Sequence, residues 1–422
     1  MLIILVVLVS IPIFLKKEKK FIKIFESTNS YGIKAYQIRV KSDNVVYVKG
    51  KFKNAGVLHN IREKHGISVI IGDLLFRKIN ELSPEETEEK LKELGIGELN
   101  IDAVEDDFIF SFFVLKSNVI PALKFLSTAF HDPKFSKNDL EFIKNRYPEI
   151  LDPETSSFRK LLFEKLLSML YPSHNYGLAN TGTAAALNGI TENDVYDFIK
   201  SNFSKSKLEI FFAGDISQSE IESYVEAMFS ELNKGEEEEK FTPEELAPPS
   251  ASNCEVIYKK DMGNIVGIAT GIRLDKLSDK EKVAAHIILR NLFDEKIGDF
   301  TSGLRSQNIA YSIDLKFLQR RYSNVFCFFI YVDKNDLEKY EKYVEEKFSI
   351  YRYKLNLKSL SLFQDSILMN LQNGFTSLEN IDNQIENNSL PFSEITQKDF
   401  LEAAKKIFDQ SLGKTVYIRS LP

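Results

Sequence analysis

Histidine is scarce in this 422-residue chain: His59, His65, His131, His174 and His286 are the only five, and no two stand four apart. That spacing excludes the usual helical zinc site, in which two imidazoles at i and i+4 share one face and one metal ion. His59 and His65, six apart, would lie about 240° around a helix from one another. Each histidine is expected to be a surface or capping residue. Cysteine is scarcer still, with only Cys254 and Cys327, too few for a disulfide framework. Both sit near apolar runs, which predicts two buried thiols. Tryptophan is absent. Excess positive charge is absent too: 55 Lys and Arg against 61 Asp and Glu give −6. That balance argues against nucleic acid as a partner, since phosphate binding needs clustered cations. There is no G-x-x-x-x-G-K-[ST] phosphate loop and no G-x-S-x-G elbow. Adjacent acids such as Asp106-Asp107 are expected to point to opposite sides of a strand and not to act together.

What is present is a globular composition, 43% hydrophobic and 27% charged, with 33 Phe and 17 Tyr to fill cores. The first fifteen residues, Met1 to Leu15, carry no charge, and Lys16-Lys17-Glu18-Lys19-Lys20 follows. Such a run is short of the about 20 residues of a full span and suits an export signal or an uncleaved N-terminal anchor. No small-x-small cleavage site follows it. The alternative is a buried N-terminal strand. The expectation is a protein of the cell envelope, exported or membrane-anchored, with its side open. The basic run would keep the body in the cytoplasm, and a truncated start would reverse that.

The pattern along the chain has a repeated order. Strands are expected between Lys20 and Phe52, then a helix over His65–Asn80. Ser83-Pro84-Glu85-Glu86 is a strong helix start, running to Leu94 and stopping at Gly95. A strand over Phe108–Leu115 and helices over Val119–Phe130, Lys137–Arg146 and Ser156–Leu170 follow. A helix capped by Thr191, a strand over Lys207–Ala213 and a helix to about Asn233 close the first half. Asn233 to Asn253, with Glu236 to Glu239 and Ala247-Pro248-Pro249, reads as a solvated linker. Then strands over Glu255–Lys259 and Asn264–Arg273, a helix over Asp279–Asp294 and strands over Ile309–Leu318 and Ser323–Val332 appear. Helices over Asn335–Tyr351, Lys358–Gln372 and Gln397–Asp409 and a strand over Lys414–Ile418 finish the chain. Two similar α+β lobes joined by the linker follow from this order.

Short motifs punctuate the same order. They are Asn54-Ala55-Gly56; Asp73-Leu74-Leu75-Phe76; Glu93-Leu94-Gly95-Ile96-Gly97-Glu98-Leu99-Asn100; Pro172-Ser173-His174-Asn175-Tyr176-Gly177; and Thr181-Gly182-Thr183. Further on stand Thr191-Glu192-Asn193-Asp194-Val195 before Ala213-Gly214-Asp215, and Leu304-Arg305-Ser306-Gln307-Asn308-Ile309-Ala310-Tyr311-Ser312. From about residue 21 to the C-terminus this series resembles the M16 zinc peptidases, the family of insulinase and mitochondrial processing peptidase. The resemblance implies an α+β fold of two similar LuxS/M16 metallohydrolase-like lobes, each a mostly antiparallel sheet packed with helices. The boundaries expected are 1–20 for a signal or anchor, 21–232 and 254–422 for the lobes, and 233–253 for the linker.

Active members carry His-x-x-Glu-His on the first helix, two zinc ligands and a general base for the metal-bound water. The matching segment here is Val69-Ile70-Ile71-Gly72-Asp73. Val69, Gly72 and Asp73 are therefore degenerate zinc-motif positions, and Glu149 stands near the spacing of the family's third ligand. No metal and no cofactor is expected. In the second lobe the family often supplies an Arg and a Tyr to the substrate backbone. Tyr311 matches the Tyr, the Arg falls at Gln307 or Asn308, and Arg305 is nearby. The resemblance implies a non-catalytic subunit that pairs with a zinc-bearing M16 subunit and helps shape a chamber for peptides. The alternatives are an envelope scaffold held at a membrane by residues 1–15 and an active hydrolase with a rearranged site.

Overall fold

Two sheets organise the chain, and they are built to one plan. The computed structural model describes residues 24–421 except 29–32, 40–43, 104, 148–156, 180, 230, 236–245, 261, 276, 311–312, 319, 375–393 and 410–412. The first lobe runs β1 (Ile24–Thr28), β2 (Lys34–Arg39), β3 (Val45–Phe52), α1 (Ile67–Leu75), α2 (Pro84–Glu93), β4 (Leu99–Asp102) and β5 (Phe108–Leu115). It continues through α3 (Val119–His131), α4 (Lys137–Lys144), α5 (Phe158–Leu170), α6 (Ala184–Asn188), α7 (Glu192–Asn202), β6 (Leu208–Gly214) and α8 (Gln218–Phe229). The second runs β7 (Cys254–Tyr258), β8 (Ile265–Arg273), α9 (Asp279–Phe293), α10 (Asp299–Ser306), β9 (Asp314–Leu318) and β10 (Val325–Asp333). It ends with α11 (Leu337–Tyr351), α12 (Leu357–Gly374), α13 (Gln397–Ile407) and β11 (Gly413–Arg419).

The sheet orders are β1-β2-β6-β3-β5-β4 and β7-β11-β8-β10-β9. Every pairing is antiparallel except β2 with β6 and β7 with β11. The orders match strand for strand: β2 with β7, β6 with β11, β3 with β8, β5 with β10, β4 with β9. Among the described residues β1 alone has no counterpart. Local chemistry explains many of the boundaries. Ser83 and Glu86, Thr191 and Asp194, Ser278 and Glu281, and Thr396 and Asp399 each form a reciprocal capping box at a helix start, worth about 1 kcal/mol apiece. Gly95, at φ 77°, ends the turn after α2.

Each sheet buries one face under its own helices, giving one core per lobe. A third core lies between the lobes. The stripe Leu162, Leu166, Leu170 of α5 packs on the opposite face of the second sheet, against Ala269, Val325, Val416 and Ile418. α5 thus belongs to the first lobe by sequence and to the second sheet by packing. Two glycines of β8 make the room: a Cβ on Gly271 would sit 2.9 Å from Leu170 Cδ1 and 3.0 Å from Leu166 Cδ2. The linker's C-terminal part is fixed to the same region, Ser250 N donating to Met169 O at 2.7 Å and Arg273 Nη1 to Ala247 O at 2.8 Å. Its run Glu236 to Glu239 lies outside the described residues, as do residues 1–15. No described helix is long and apolar enough to cross a membrane.

The structure departs from expectation in three places. Residues 299–306 form a helix, and the strand expected from Ile309 begins only at Asp314. Asn308, at φ 53°, terminates α10, and the Ile309 amide turns back to Leu304 O at 2.9 Å, so the apolar residues there bury a helix end. Leu99–Asp102 forms a short strand paired with β5. Of the two free thiols, Cys327 is buried and pushed up to about 12 by that burial, whereas Cys254 is exposed on β7. Because Leu166 is fully buried in the inter-lobe core, Leu166→Ala is expected to lose about 2–5 kcal/mol in chemical denaturation. A loss of less than about 1 kcal/mol would mean that α5 does not hold the lobes together.

Candidate functional site

The helix that matches the zinc motif is α1, and its start is built from outside. Its N-cap, Gly66, has φ 101° and no side chain to offer. Asn60 supplies the cap instead: its Oδ1 accepts from the Gly66 and Ser68 amides at 3.2 and 3.3 Å and from Ser68 Oγ at 3.1 Å. This satisfies donors a helix start leaves open. Gly66 also packs against Gly182, whose φ is 84°. A Cβ on Gly182 would lie 2.5 Å from His65 O and 3.0 Å from Gly66 Cα. The Thr181-Gly182-Thr183 motif therefore secures the entry to α1, and Thr183 caps α6.

The motif positions themselves carry no metal chemistry. Val69 is half-buried and packs against both the first core and the inter-lobe core. Gly72 faces Ile101 and Phe108, and a Cβ there would come 3.2 Å from Ile101 Cγ2. Asp73 is exposed, but its Oδ2 accepts from the Tyr147 hydroxyl at 2.9 Å. Burial, reinforced by the Asp73 carboxylate, pushes the Tyr147 phenol up. Tyr147 follows α4 and had no signal in the sequence beyond its proximity to Glu149, which lies outside the described residues. Zinc does not fit this helix: two of its three motif positions offer no donor and the third is hydrogen-bonded to a phenol. Among the described residues no group of three or more His, Cys, Asp or Glu could hold a metal ion.

The second-lobe candidates fare no better. Arg305, on α10, donates to the carbonyl of Glu295, and α10 packs on α9 and α11. Tyr311 lies outside the described residues. Two of the five histidines, His65 and His286, are buried rather than surface groups. His59 donates to Asp106 Oδ1 at 2.9 Å, and His65 to Ala179 O at 2.9 Å, with burial lowering its pKa. His286 is buried against Phe317 and pushed down to about 3 by burial and by Arg290. His174 is a cap, Nδ1 accepting from the Tyr176 amide at 3.1 Å. His131 is exposed at the end of α3.

The densest polar cluster lies where the lobes meet. The β4–β5 turn carries Glu105-Asp106-Asp107, and the equivalent β9–β10 turn carries Arg320-Arg321. Arg320 Nε donates to Glu105 at 2.9 Å, Arg321 Nη2 to Asp107 at 3.1 Å, and the Arg321 amide to Asp106 Oδ2 at 2.8 Å. Asp106 also accepts from His59 and from the Tyr176 hydroxyl, the latter at 2.8 Å. Burial alone would raise the Asp106 carboxyl. The donors from His59, Arg321 and Tyr176 outweigh it and hold the group below the usual carboxylate range. The Arg320 side chain is 0% exposed. It donates to Tyr176 O at 3.0 Å and lies 4.7 Å from the Tyr176 ring and 5.8 Å from that of Tyr171. Asp106 and Asp107 therefore do act together, contrary to the sequence expectation, because they stand on a turn and both reach Arg321. Opposite charge on two turns at matching positions of the repeat was the signal available.

Because the folded carboxyl of Asp106 sits below its unfolded value of about 3.9, its contribution is complete above that pH and is lost as pH falls through the folded value. Asp106→Ala leaves three donors unmet, the buried Tyr176 hydroxyl among them, and is expected to cost about 3 kcal/mol in urea. Its stability is also expected to vary less than that of the wild type below about pH 4. Equal pH dependence in the two proteins would rule out Asp106 as the source.

Residues 189–356 match the family model described as the Peptidase M16 inactive domain. An uncharacterized zinc protease of Rickettsia felis is 25% identical over 177 residues, 41% of this chain and 42% of that protein. The probable mitochondrial-processing peptidase subunit beta of Arabidopsis thaliana is 24% identical over 188 residues, 44% of this chain and 34% of that protein. The matched stretch thus spans less than half the length of either relative. A crystal structure of a peptidase M16 inactive domain from Pseudomonas fluorescens superposes with a TM-score of 0.81 at 17% identity, covering 94% of this chain and 98% of that one. The resemblance seen in the motifs and the two-lobed α+β fold are both borne out.

Proposed function

We propose that this chain, an M16 peptidase homologue without the His-x-x-Glu-His motif, is a non-catalytic subunit that pairs with a zinc-bearing M16 homologue and helps form a peptide-binding chamber. The observation that carries this reading is the state of α1. Its cap, its glycine-lined entry and its packing are intact, while the ligand and base positions are Val69, Gly72 and a tyrosine-bonded Asp73. A helix kept whole after its chemistry is gone is being used as a wall. The Arabidopsis relative is itself named as a subunit, which supports an M16 partner. In such a pair the partner would supply zinc and the attacking water, and this chain would contribute surface and shape. A second reading, an envelope scaffold without any peptidase, rests on the fifteen uncharged residues at the start of the chain.

Isolation of the full chain from its own cells, with mass spectrometry of what accompanies it, tests the two. A stoichiometric M16 homologue carrying His-x-x-Glu-His is the expected outcome, and only unrelated partners would favour the scaffold. The purified chain alone is expected to hold no stoichiometric zinc and to cleave no peptide. Metal analysis showing one zinc per chain, together with cleavage, would overturn the proposal.

A further inference from the structure

The two sheets differ at one edge. In the first, β2 carries β1 on its outer side, antiparallel, with Glu26 opposite Tyr36. The matching strand of the second sheet is β7, and β7 ends its sheet. On its inner side β7 pairs in parallel with β11. Thr415 N donates to Asn253 O at 2.9 Å, and Lys259 N to Arg419 O at 3.0 Å. The alternation of a parallel ladder then directs the amides and carbonyls of Glu255 and Ile257 to β11, and those of Cys254, Val256 and Tyr258 outward. Ser252 Oγ takes the Cys254 carbonyl at 2.6 Å. Among the described residues no strand takes the outward groups of Val256 and Tyr258. Both side chains are well exposed, at 37% and 46%. The strand has no proline, lysine or bulge of the kind that guards an edge.

We propose that the outer edge of β7 binds an extended peptide, antiparallel, with apolar residues at alternate positions and an acidic residue at its N-terminal end. Strand addition is the mode the first lobe already uses at the equivalent edge, where β1 lies on β2. Alternate apolar residues of the peptide would lie beside Val256 and Tyr258 on one face. The polarity follows from charge: Arg419 lies over the Tyr258 ring and the exposed Lys260 follows two residues on, at the end where an antiparallel strand begins. A second copy of this chain is a poorer occupant, since one five-residue strand pair buries far less than the about 1,200 Å² of a stable interface. The inference rests on the peptide-binding part of the proposed function and not on the zinc-bearing partner.

The test is fluorescence anisotropy of the full chain with a labelled synthetic peptide that alternates valine and serine behind an N-terminal aspartate. Saturable binding is expected, weakened about tenfold or more by Val256→Pro, which removes an outward amide and leaves the β11 ladder whole. Val256→Lys, which charges the edge without touching the backbone, is expected to act likewise and covers the case in which the proline variant fails to fold. N-methylation of the peptide's bonding amides should abolish binding, and an N-terminal lysine should weaken it. Binding unchanged in both variants would overturn this site while leaving peptide binding elsewhere in the chain. No binding by the wild type would overturn both readings. A concentration-dependent dimer in sedimentation, lost in Val256→Pro, would give the edge to a second copy and overturn the peptide.

Discussion

The contact between the β4–β5 and β9–β10 turns fixes how the two lobes meet, and much else follows from it. A guanidinium as enclosed as that of Arg320 costs several kcal/mol to desolvate unless its charge and donors are met. Glu105, the Tyr176 carbonyl and two tyrosine faces meet its charge and the Nε and Nη1 donors, while Nη2 is buried without a partner among the described residues. The net stability of such a cluster is small beside its selectivity, because any other docking of the lobes would leave Arg320 or Asp106 buried without partners. The two turns occupy equivalent places in a repeated plan, yet one bears three acids and the other two arginines. Identical turns would repel or fail to complement each other. The halves have diverged where they touch, which makes the lobe contact specific in one order only.

The same cluster reaches the degenerate site through neighbouring residues. His59 bonds Asp106, and Asn60, the next residue, caps α1. Tyr176 bonds Asp106, and Asn175, the residue before, donates to Asn60 O at 2.7 Å. Two adjacent pairs thus tie the lobe contact to the start of α1. The Pro172–Gly177 motif is explained by this linkage without any catalytic role. Gly177 belongs to the same construction, since a Cβ there would fall 2.2 Å from Tyr171 O. A motif that marks an enzyme family can thus answer to a structural demand.

Elements with a local cause were legible in the sequence. The capped helices and the strand over Phe108–Leu115 carry their own signals, in side chains within three residues of the boundary or in unbroken β-forming character. The replaced motif at Val69, Gly72 and Asp73 was legible for the same reason. What escaped was set by distant partners. The stripe of α5 announces a buried face but not which sheet receives it, and the answer lies in Gly267 and Gly271 about a hundred residues away. The α10 segment was missed because alternating residues after it, Ile309 and Ala310, bury as a helix end rather than a strand. Tyr147, Arg320 and Arg321 gain meaning only when the fold brings them to Asp73, Glu105 and Asp107.

The three zinc-motif positions are each built into different surroundings. A histidine at position 69 would insert a polar ring beside two apolar cores that Val69 now joins, with a desolvation cost. A glutamate at position 72 would begin with a Cβ 3.2 Å from Ile101 Cγ2, so the Ile101 side chain would have to give by a few tenths of an ångström. Asp73 would have to give up Tyr147, which is itself buried and whose hydroxyl would then lack its acceptor. Each reversal disturbs a different neighbour, and their costs fall on one short helix whose remaining residues are mostly core. The packing around α1 is therefore fitted to Val69, Gly72 and Asp73 as they stand.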